Sequence, residues 1–599
     1  MKKDFSIQVA TTNGSGSQSS NQVIARALFR MGLPVGAKNL FPSNIAGLPT
    51  WFTIRVSEEG FTSRTETSEI FVAMNPQTLK QDLESVSEGG IFIHNSDLKW
   101  DQDLLDSSPL TKVPVPFKSI IDGVTDSVRL KKLLVNMAYV GVLAELLKIP
   151  EDILESSIAD QFRGKEAVVK PNRDAIRAGI SYAKENLQTL PFPYEVHVKP
   201  GGSHGKIFID GNTSAGLGLV FGGCTVACWY PITPSSSLIE NFIHYAELYR
   251  KDENGKNNFC VVQAEDELAS ISMVIGAGWA GARAMTATSG PGLSLMAEAA
   301  GLAYYSEVPS VIWDVQRTGP STGLPTRTMQ GDLLFAHQLS HGDTKHILLL
   351  PATPQDCFEF GQLAFDLAER LQTLVIVLSD LDLGMNLRIS DEFPYPEKPF
   401  DRGKVLTKEQ LEDHKDFGRY KDVDGDGIPL RIYPGTDHEK SGYFTRGSGH
   451  DSTGAYSENN KVYKENMLRL AKKYETAKQL VPKPLVSLNI EAKIGLVYFG
   501  SSSECIPEAR HFLNQKGIQT SHLQLRALPF TTEFEDFLKG HDRIYVIEQN
   551  RDAQLLSILR MELPTFCPKL RSVTQFDGLP LTATEVSTQI LEMEGSEKS

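Results

Sequence analysis

The sequence predicts a multidomain α/β protein built around a doubly wound parallel sheet. Short apolar runs such as Leu374-Val375-Ile376-Val377-Leu378 and Phe259-Cys260-Val261-Val262-Gln263 read as strands buried on both faces. Stretches with helical spacing of apolar residues separate them, so strand and helix alternate as in a parallel sheet. The residues able to do chemistry cluster where such runs stop, and an open parallel sheet collects its ligands outside the carboxyl ends of its strands.

Residues 1–193 form the first predicted domain. Phe5 to Ala10 reads as a strand, Gly14-Ser15-Gly16-Ser17 as a loop, and Val23 to Leu28 as part of a helix. That order either receives a phosphate at a helix N-terminus or is a plain turn. The most apolar helix, Leu133 to Leu147, is interrupted by Asn136 and Glu145 and is too short to span a membrane. Leu190-Pro191-Phe192-Pro193 marks the expected linker.

Residues 205–395 carry the sheet and three informative segments. In Tyr230-Pro231-Ile232-Thr233-Pro234-Ser235-Ser236, proline fixes its own φ and drives the residue before it out of the helical region. Thr233 is therefore expected on a stiff loop, and Ser235 to Ser237 as the N-cap cluster of the next helix. On spacing alone the segment reads more readily as an ordinary strand-to-helix turn. Glu265-Asp266-Glu267-Leu268-Ala269 then opens a helix in which Leu268, Ile271, Ile275, Gly278 and Ala282 recur at helical spacing. Acids in a first turn commonly do no more than complement the helix dipole. Thr288-Ser289-Gly290-Pro291-Gly292 closes the following strand with glycines that let backbone approach a bound group. Arg317 follows the apolar run Ser310 to Trp313 and is expected at the same sheet edge, where Ser379-Asp380 also falls.

Residues 396–485 are polar, with little apolar periodicity before a helix near Tyr463 to Tyr474. Asp422-Val423-Asp424-Gly425-Asp426-Gly427 resembles the start of a calcium loop, but its twelfth position is Tyr433 where a bidentate glutamate is needed. A solvated turn is expected, and no metal site. Residues 486–599 return to alternating strands and helices, including Ile494 to Gly500 and Ile544 to Asn550.

The net charge of −14 excludes a protein that neutralises nucleic-acid phosphates, and no run has the length or apolarity of a signal or membrane segment, so a cytoplasmic location is expected. The six cysteines include no C-x-x-C pair, which argues against an iron–sulfur cluster on this chain. Any electrons it handles must leave through a partner.

The order YPITPSS, E-x-E-L-A, TATSGPG and Val315-Gln316-Arg317-Thr318-Gly319-Pro320-Ser321-Thr322-Gly323-Leu324-Pro325-Thr326 resembles the alpha subunits of 2-oxoacid:ferredoxin (or flavodoxin) oxidoreductases. More narrowly it is similar to the form with a gamma domain fused ahead of alpha, of the 2-oxoglutarate type. The resemblance implies a pyrimidine-binding alpha domain at 205–395 and a transketolase C-terminal-like domain at 486–599. It implies a thiamine diphosphate shared with a beta subunit, which holds the magnesium ion and the iron–sulfur cluster. Coenzyme A would be the co-substrate and ferredoxin or flavodoxin the acceptor, in a dimer of alpha–beta heterodimers. Matched position by position, Glu267 contacts the aminopyrimidine as the catalytic acid. Tyr230, Pro231, Ile232, Ser289 and Gly290 line the cofactor, and Thr233, Arg317 and Thr322 meet the substrate. Ser17 and Ser19 stand where the family's first loop has glycines. The alternatives are the same chemistry on pyruvate, branched-chain or aryl 2-oxoacids, and a noncatalytic scaffold.

Overall fold

The structure is a computed structural model and describes residues 2–43, 47–414, 416–443 and 445–596. Its first sheet has six strands in the order Val35–Leu40, Pro49–Ser57, Asp4–Thr12, Ser68–Ala73, Val86–Asn95 and Thr111–Val115. Asp4–Thr12 is antiparallel to Pro49–Ser57 on one side and parallel to Ser68–Ala73 on the other. The helices Ser17–Arg30, Val128–Leu147 and Glu166–Asn186 cover it. Its core reaches past the prolines at 191 and 193 to Tyr194 and Val196, because Lys2 donates from its amide to the Pro193 carbonyl at 2.8 Å. The expected linker is thus packed chain.

The central sheet runs Ala527–Leu528, Ile347–Leu349, Leu374–Asp380, Ser310–Gln316, Ala284–Thr288, Val226–Trp229 and Cys260–Gln263. All but the first are parallel. Cys260–Gln263 is the edge strand and lies half exposed, where the apolar run suggested burial on both faces. Because the chain runs from Val226–Trp229 outward to that edge and returns on the other side at Ala284–Thr288, the direction of winding reverses between these two strands. Loops that diverge there leave a crevice.

Separate cores fill the two faces of this sheet. One is continuous with the C-terminal sheet, ordered Leu485–Ser487, Thr520–Leu525, Ile494–Phe499, Arg543–Glu548 and Leu570–Thr574, through Val497, Leu523, Val546 and Leu555. Ala527–Leu528 crosses over to pair with the central sheet.

The polar stretch before it is also structured. Leu406, Leu411 and Ile432 form a small core of their own. The helix Asn460–Ala477 is anchored by Arg469 and Lys473, which both bind the fully buried Glu307. The helix expected near Tyr463 to Tyr474 is thus present within Asn460–Ala477, and Leu470, Tyr474 and Ala477 are also buried along it. Among the described residues no helix is long and apolar enough to cross a membrane.

Candidate active site

The four strands Val226–Trp229, Cys260–Gln263, Ala284–Thr288 and Ser310–Gln316 end at one edge, in parallel register, so the loops after them are neighbours. Thr233 precedes a cis peptide to Pro234 in the first loop, with Tyr230 and Pro231 exposed beside it. The serines behind it do not cap their helix. Ser236 Oγ accepts from the Ile232 amide at 3.1 Å and Ser235 Oγ donates to the Ile232 carbonyl at 3.0 Å, so both close the loop on itself. The bend at Pro234 puts them nearer Ile232 than the first helical amides.

Glu267 begins the helix Glu267–Trp279, capped by Asp266, whose carboxylate accepts from the Ala269 amide at 2.7 Å. Asp266 is thus the capping acid and Glu265 an exposed neighbour. Glu267 is 8% exposed and its carboxylate has no hydrogen-bond partner among the described residues. Gly292 lies against it. A Cβ at Gly292 would stand 2.8 Å from Glu267 Cγ and 2.1 Å from Thr288 Oγ1, so only glycine leaves room for that side chain. Ser289 is fully buried with its hydroxyl unpartnered, and Gly290 packs on the Asp332 carboxylate.

Arg317, 7% exposed, donates from Nη1 to the Thr233 carbonyl at 2.7 Å, while its Nε is buried without a partner. Burial holds its pKa below the usual guanidinium value, against the pull of Asp332 and Asp314. A cavity of about 540 Å³ opens beside it, lined in part by Gly290, Arg317, Gly319, Asp332, Asn550 and Phe576. Thr322 is left outside. The Leu324 amide donates to the Thr318 carbonyl at 3.0 Å, closing a turn whose exposed tip carries Thr322.

Several other side chains find structural employment. Asp380 caps the short helix Leu381–Met385 by accepting from the Leu383 amide at 2.9 Å. Glu548 accepts from the amides of Leu555 and Leu556, and Asn550 Nδ2 donates to the Gln330 carbonyl at 3.0 Å, binding the C-terminal sheet to the central one. Asp422, Asp424 and Asp426 converge, but Lys404 Nζ lies 2.7 Å from both Asp424 Oδ1 and Asp426 Oδ1 and supplies the positive charge there. All six cysteines are unpaired.

Sequence reasoning missed three contributors. Asp314 sits inside the buried strand Ser310–Gln316, and an acid amid Val311, Ile312, Trp313 and Val315 is a signal the sequence offered. Asp332 lies in a loop with no local pattern. Asn136, which interrupts the apolar helix, donates from Nδ2 to the Ser15 carbonyl at 2.7 Å and fixes the first loop. That loop borders a second cavity, about 420 Å³, lined by Asn13, Gly14, Gly16, Ser17, Trp51 and other residues.

The fold and this edge define a multidomain α/β chain with a ligand crevice where winding reverses and a separate helix-N-terminal cavity in its first domain. Residues 6–182 match the family model "Pyruvate ferredoxin/flavodoxin oxidoreductase", and residues 218–417 match the model for the thiamine diphosphate-binding region of the same enzymes. The chain is 30% identical to the 2-oxoacid:ferredoxin oxidoreductase 2 alpha subunit of Aeropyrum pernix, with 98% of this chain and 97% of that one covered. It is 28% identical to the 2-oxoglutarate oxidoreductase subunit KorA of Mycobacterium tuberculosis, over 97% and 90% of the two chains. The solved 2-oxoglutarate:ferredoxin oxidoreductase of Magnetococcus marinus, with 2-oxoglutarate, coenzyme A and succinyl-CoA bound, superposes with a TM-score of 0.87 at 29% identity, covering 99% of this chain and all of that one. The chain belongs to the 2-oxoacid:ferredoxin oxidoreductase alpha subunits. It is accordingly one component of a multi-subunit oxidoreductase.

Proposed function

We propose that this subunit serves the coenzyme A-dependent oxidative decarboxylation of 2-oxoglutarate to succinyl-CoA, with electrons leaving through an iron–sulfur cluster on a beta subunit to ferredoxin or flavodoxin. The observation that carries it is the carboxylate of Glu267, on a side chain only 8% exposed and without a protein donor among the described residues, held by Gly292 at the edge where Arg317 and Thr233 meet. An acceptor at a crevice with no protein donor is free to take one from a ligand, and a protonated ring nitrogen would supply it. The residues therefore fit the aminopyrimidine of thiamine diphosphate, with Tyr230, Pro231, Ile232, Ser289 and Gly290 as its surroundings. Bound there, thiamine diphosphate supplies the nucleophilic carbon needed to cleave a bond next to a carbonyl. Glu267 then holds a proton at the ring nitrogen, Arg317 pairs with the substrate's 1-carboxylate through its planar fork, and the Thr233 hydroxyl donates to an oxygen of the same group.

For coenzyme A the Gly14–Ser17 loop is the reading favoured here. It opens the helix Ser17–Arg30 with Gly16 in the left-handed region, beside the second cavity. Amides at a helix N-terminus suit phosphate oxygens, and serines in place of glycines add hydroxyl donors rather than block the approach. The choice of 2-oxoglutarate is supported by the relatives whose names carry that substrate.

The test is reconstitution with the beta subunit. Glu267→Gln should cut substrate-dependent ferredoxin reduction by roughly two to four orders of magnitude, the range of a general acid–base contribution. Undiminished reduction would remove Glu267 from the mechanism. Rates on 2-oxoglutarate, pyruvate, branched-chain and aryl 2-oxoacids decide the substrate, and a higher kcat/KM on pyruvate would replace the one proposed.

A further inference from the structure

Behind Arg317 the buried edge holds two acids that the reaction as described leaves unused. Asp314 is fully buried in the strand Ser310–Gln316, three residues before Arg317, which follows the strand's end. Neither of its oxygens has a hydrogen-bond partner among the described N–H and hydroxyl groups, and the same is true of Asp332 Oδ2. The group facing Asp314 is the Asp332 carboxyl. Asp332 is fixed from two sides. Its amide donates to Gln316 Oε1 at 3.0 Å, and Gly290 presses so closely that a Cβ there would stand 2.9 Å from both carboxylate oxygens. Asp332 also lines the cavity, so protons can reach the pair from solvent.

Two facing carboxylates, one of them sealed from water and neither given a protein donor, resist being ionised together. One shared proton turns their repulsion into a hydrogen bond. The pair then carries one negative charge, and the nearest opposite charge is Arg317. No other charged group presses on Asp314 from the strands beside it, where its register partner is Thr288 and the next strand offers Leu378. Across the cavity Arg551 and Asp552 bind each other at 2.7 Å. The resting site is therefore balanced: a singly charged acid pair against a guanidinium.

We propose that Asp314 and Asp332 form a proton-sharing pair that balances Arg317 in the free enzyme and takes up a second proton from solvent when a 2-oxoacid carboxylate binds at Arg317. The incoming carboxylate neutralises the guanidinium and would strand the pair's charge in a buried place, so the pair neutralises itself. The proposal rests on the assignment of Arg317 to the substrate carboxylate. It makes Asp314 and Asp332 positioning residues: they balance the charge of Arg317 without forming a salt bridge that the substrate would have to break. Burial and the facing acid push Asp314 well above the usual carboxylate range, and burial pushes Asp332 up to about 6. Near neutral pH the pair therefore holds one proton and has room for another.

The experiment uses the assembled alpha–beta enzyme and the probes glutarate and propanoate, which have carboxylates but no oxo group to react. Calorimetric titration in two buffers of different ionisation enthalpy counts the protons exchanged. Wild type is expected to take up close to one proton per carboxylate bound near pH 7, falling toward none as the pH drops below about 6. Asp332→Asn and Asp314→Asn should each bind the probe with uptake largely abolished, and Asp332→Asn should lower the KM for the 2-oxoacid several-fold, because Arg317 is then left unbalanced. A purely structural role would raise that KM and leave proton uptake unchanged. Should one variant fail to fold, as its unfolding temperature reports, the other carries the test. Binding without proton uptake in wild type, or uptake retained in the folded variants, overturns the proposal and leaves the Arg317 assignment standing. A wild-type enzyme that binds neither probe removes that assignment and the proposal together.

Discussion

Arg317 reaches across the strand Ala284–Thr288 to donate its Nη1 hydrogen to the carbonyl of Thr233, at 2.7 Å. The contact is to the backbone, so the threonine side chain and the guanidinium can be altered independently. Thr233→Ala keeps the anchor and removes only the hydroxyl. A neutral hydrogen bond contributes about 1 kcal/mol, so kcat/KM for the 2-oxoacid should fall about five-fold. Arg317→Lys keeps the charge but loses both the fork and the anchor. A charge-assisted pair is worth about 1.5–3 kcal/mol, so KM should rise roughly ten- to a hundred-fold. Steady-state kinetics on the reconstituted enzyme separate the two, and equal effects would mean that the loop, rather than the hydroxyl, is what Thr233 provides.

Gly292 sets the position of Glu267. Side-chain carbons do not approach to the 2.1 Å and 2.8 Å that a methyl group at Gly292 would make with Thr288 Oγ1 and Glu267 Cγ. Gly292→Ala should therefore displace the glutamate at a stability cost of about 1–3 kcal/mol, the usual range for overpacking. The expected result is a large loss in kcat together with a reduced thermal shift on adding thiamine diphosphate. A variant with normal kcat would show that the carboxyl group need not sit where Gly292 holds it.

The parallel sheet was legible because strands buried on both faces write themselves as continuous apolar runs, as at Leu374 to Leu378. The edge bearing Thr233, Glu267 and Arg317 followed from the ends of those runs. What local sequence could not show was which groups meet. Asp332 reaches Asp314 from a loop eighteen residues on (332 − 314). The serines after Thr233 have the right spacing for a cap and turn back to Ile232 instead. Thr322 belongs to a motif that reads as a lining, yet the closure of Thr318 on Leu324 turns it outward. In 396–485 the helix near Tyr463 to Tyr474 was legible, but the buried ion pairs of Arg469 and Lys473 with Glu307 that help to dock it were not, because Glu307 lies far away in the sequence.

The first loop offers a separate test of thiol-carrier binding. Asn136 Nδ2 holds the Ser15 carbonyl, and Tyr139 Oη donates to Asn21 Oδ1 at 2.8 Å, so one helix fixes the loop and the start of the helix after it. Asn136→Ala should raise the KM for coenzyme A several-fold while leaving the KM for the 2-oxoacid unchanged, since the second cavity is lined by different residues from the first. Parallel changes in both constants would place coenzyme A elsewhere.

Glu307 ends the helix Ala297–Ser306 with φ 56° and accepts from Arg469 and Lys473, with Lys473 Nζ at 2.8 Å. Burial alone would raise its pKa, but Lys473 and Arg469 outweigh it and hold the carboxyl at about 2. Lys473 is the strained member, because its own burial exceeds the pull of Glu307 and brings it down to about 8. The folded carboxyl thus binds its proton more weakly than the unfolded one. Its stabilisation is complete above the unfolded value near 4.5 and is lost as the pH falls through about 2. Glu307→Gln leaves two buried cations without a counter-charge and should destabilise by about 3–5 kcal/mol at neutral pH. Lys473→Met should cost less, because Arg469 still pairs with the carboxylate. Denaturant unfolding at neutral pH and at pH 3 measures both. The deficit of Glu307→Gln relative to wild type should shrink in acid, and a deficit that does not depend on pH would mean that shape, not charge, holds this helix in place.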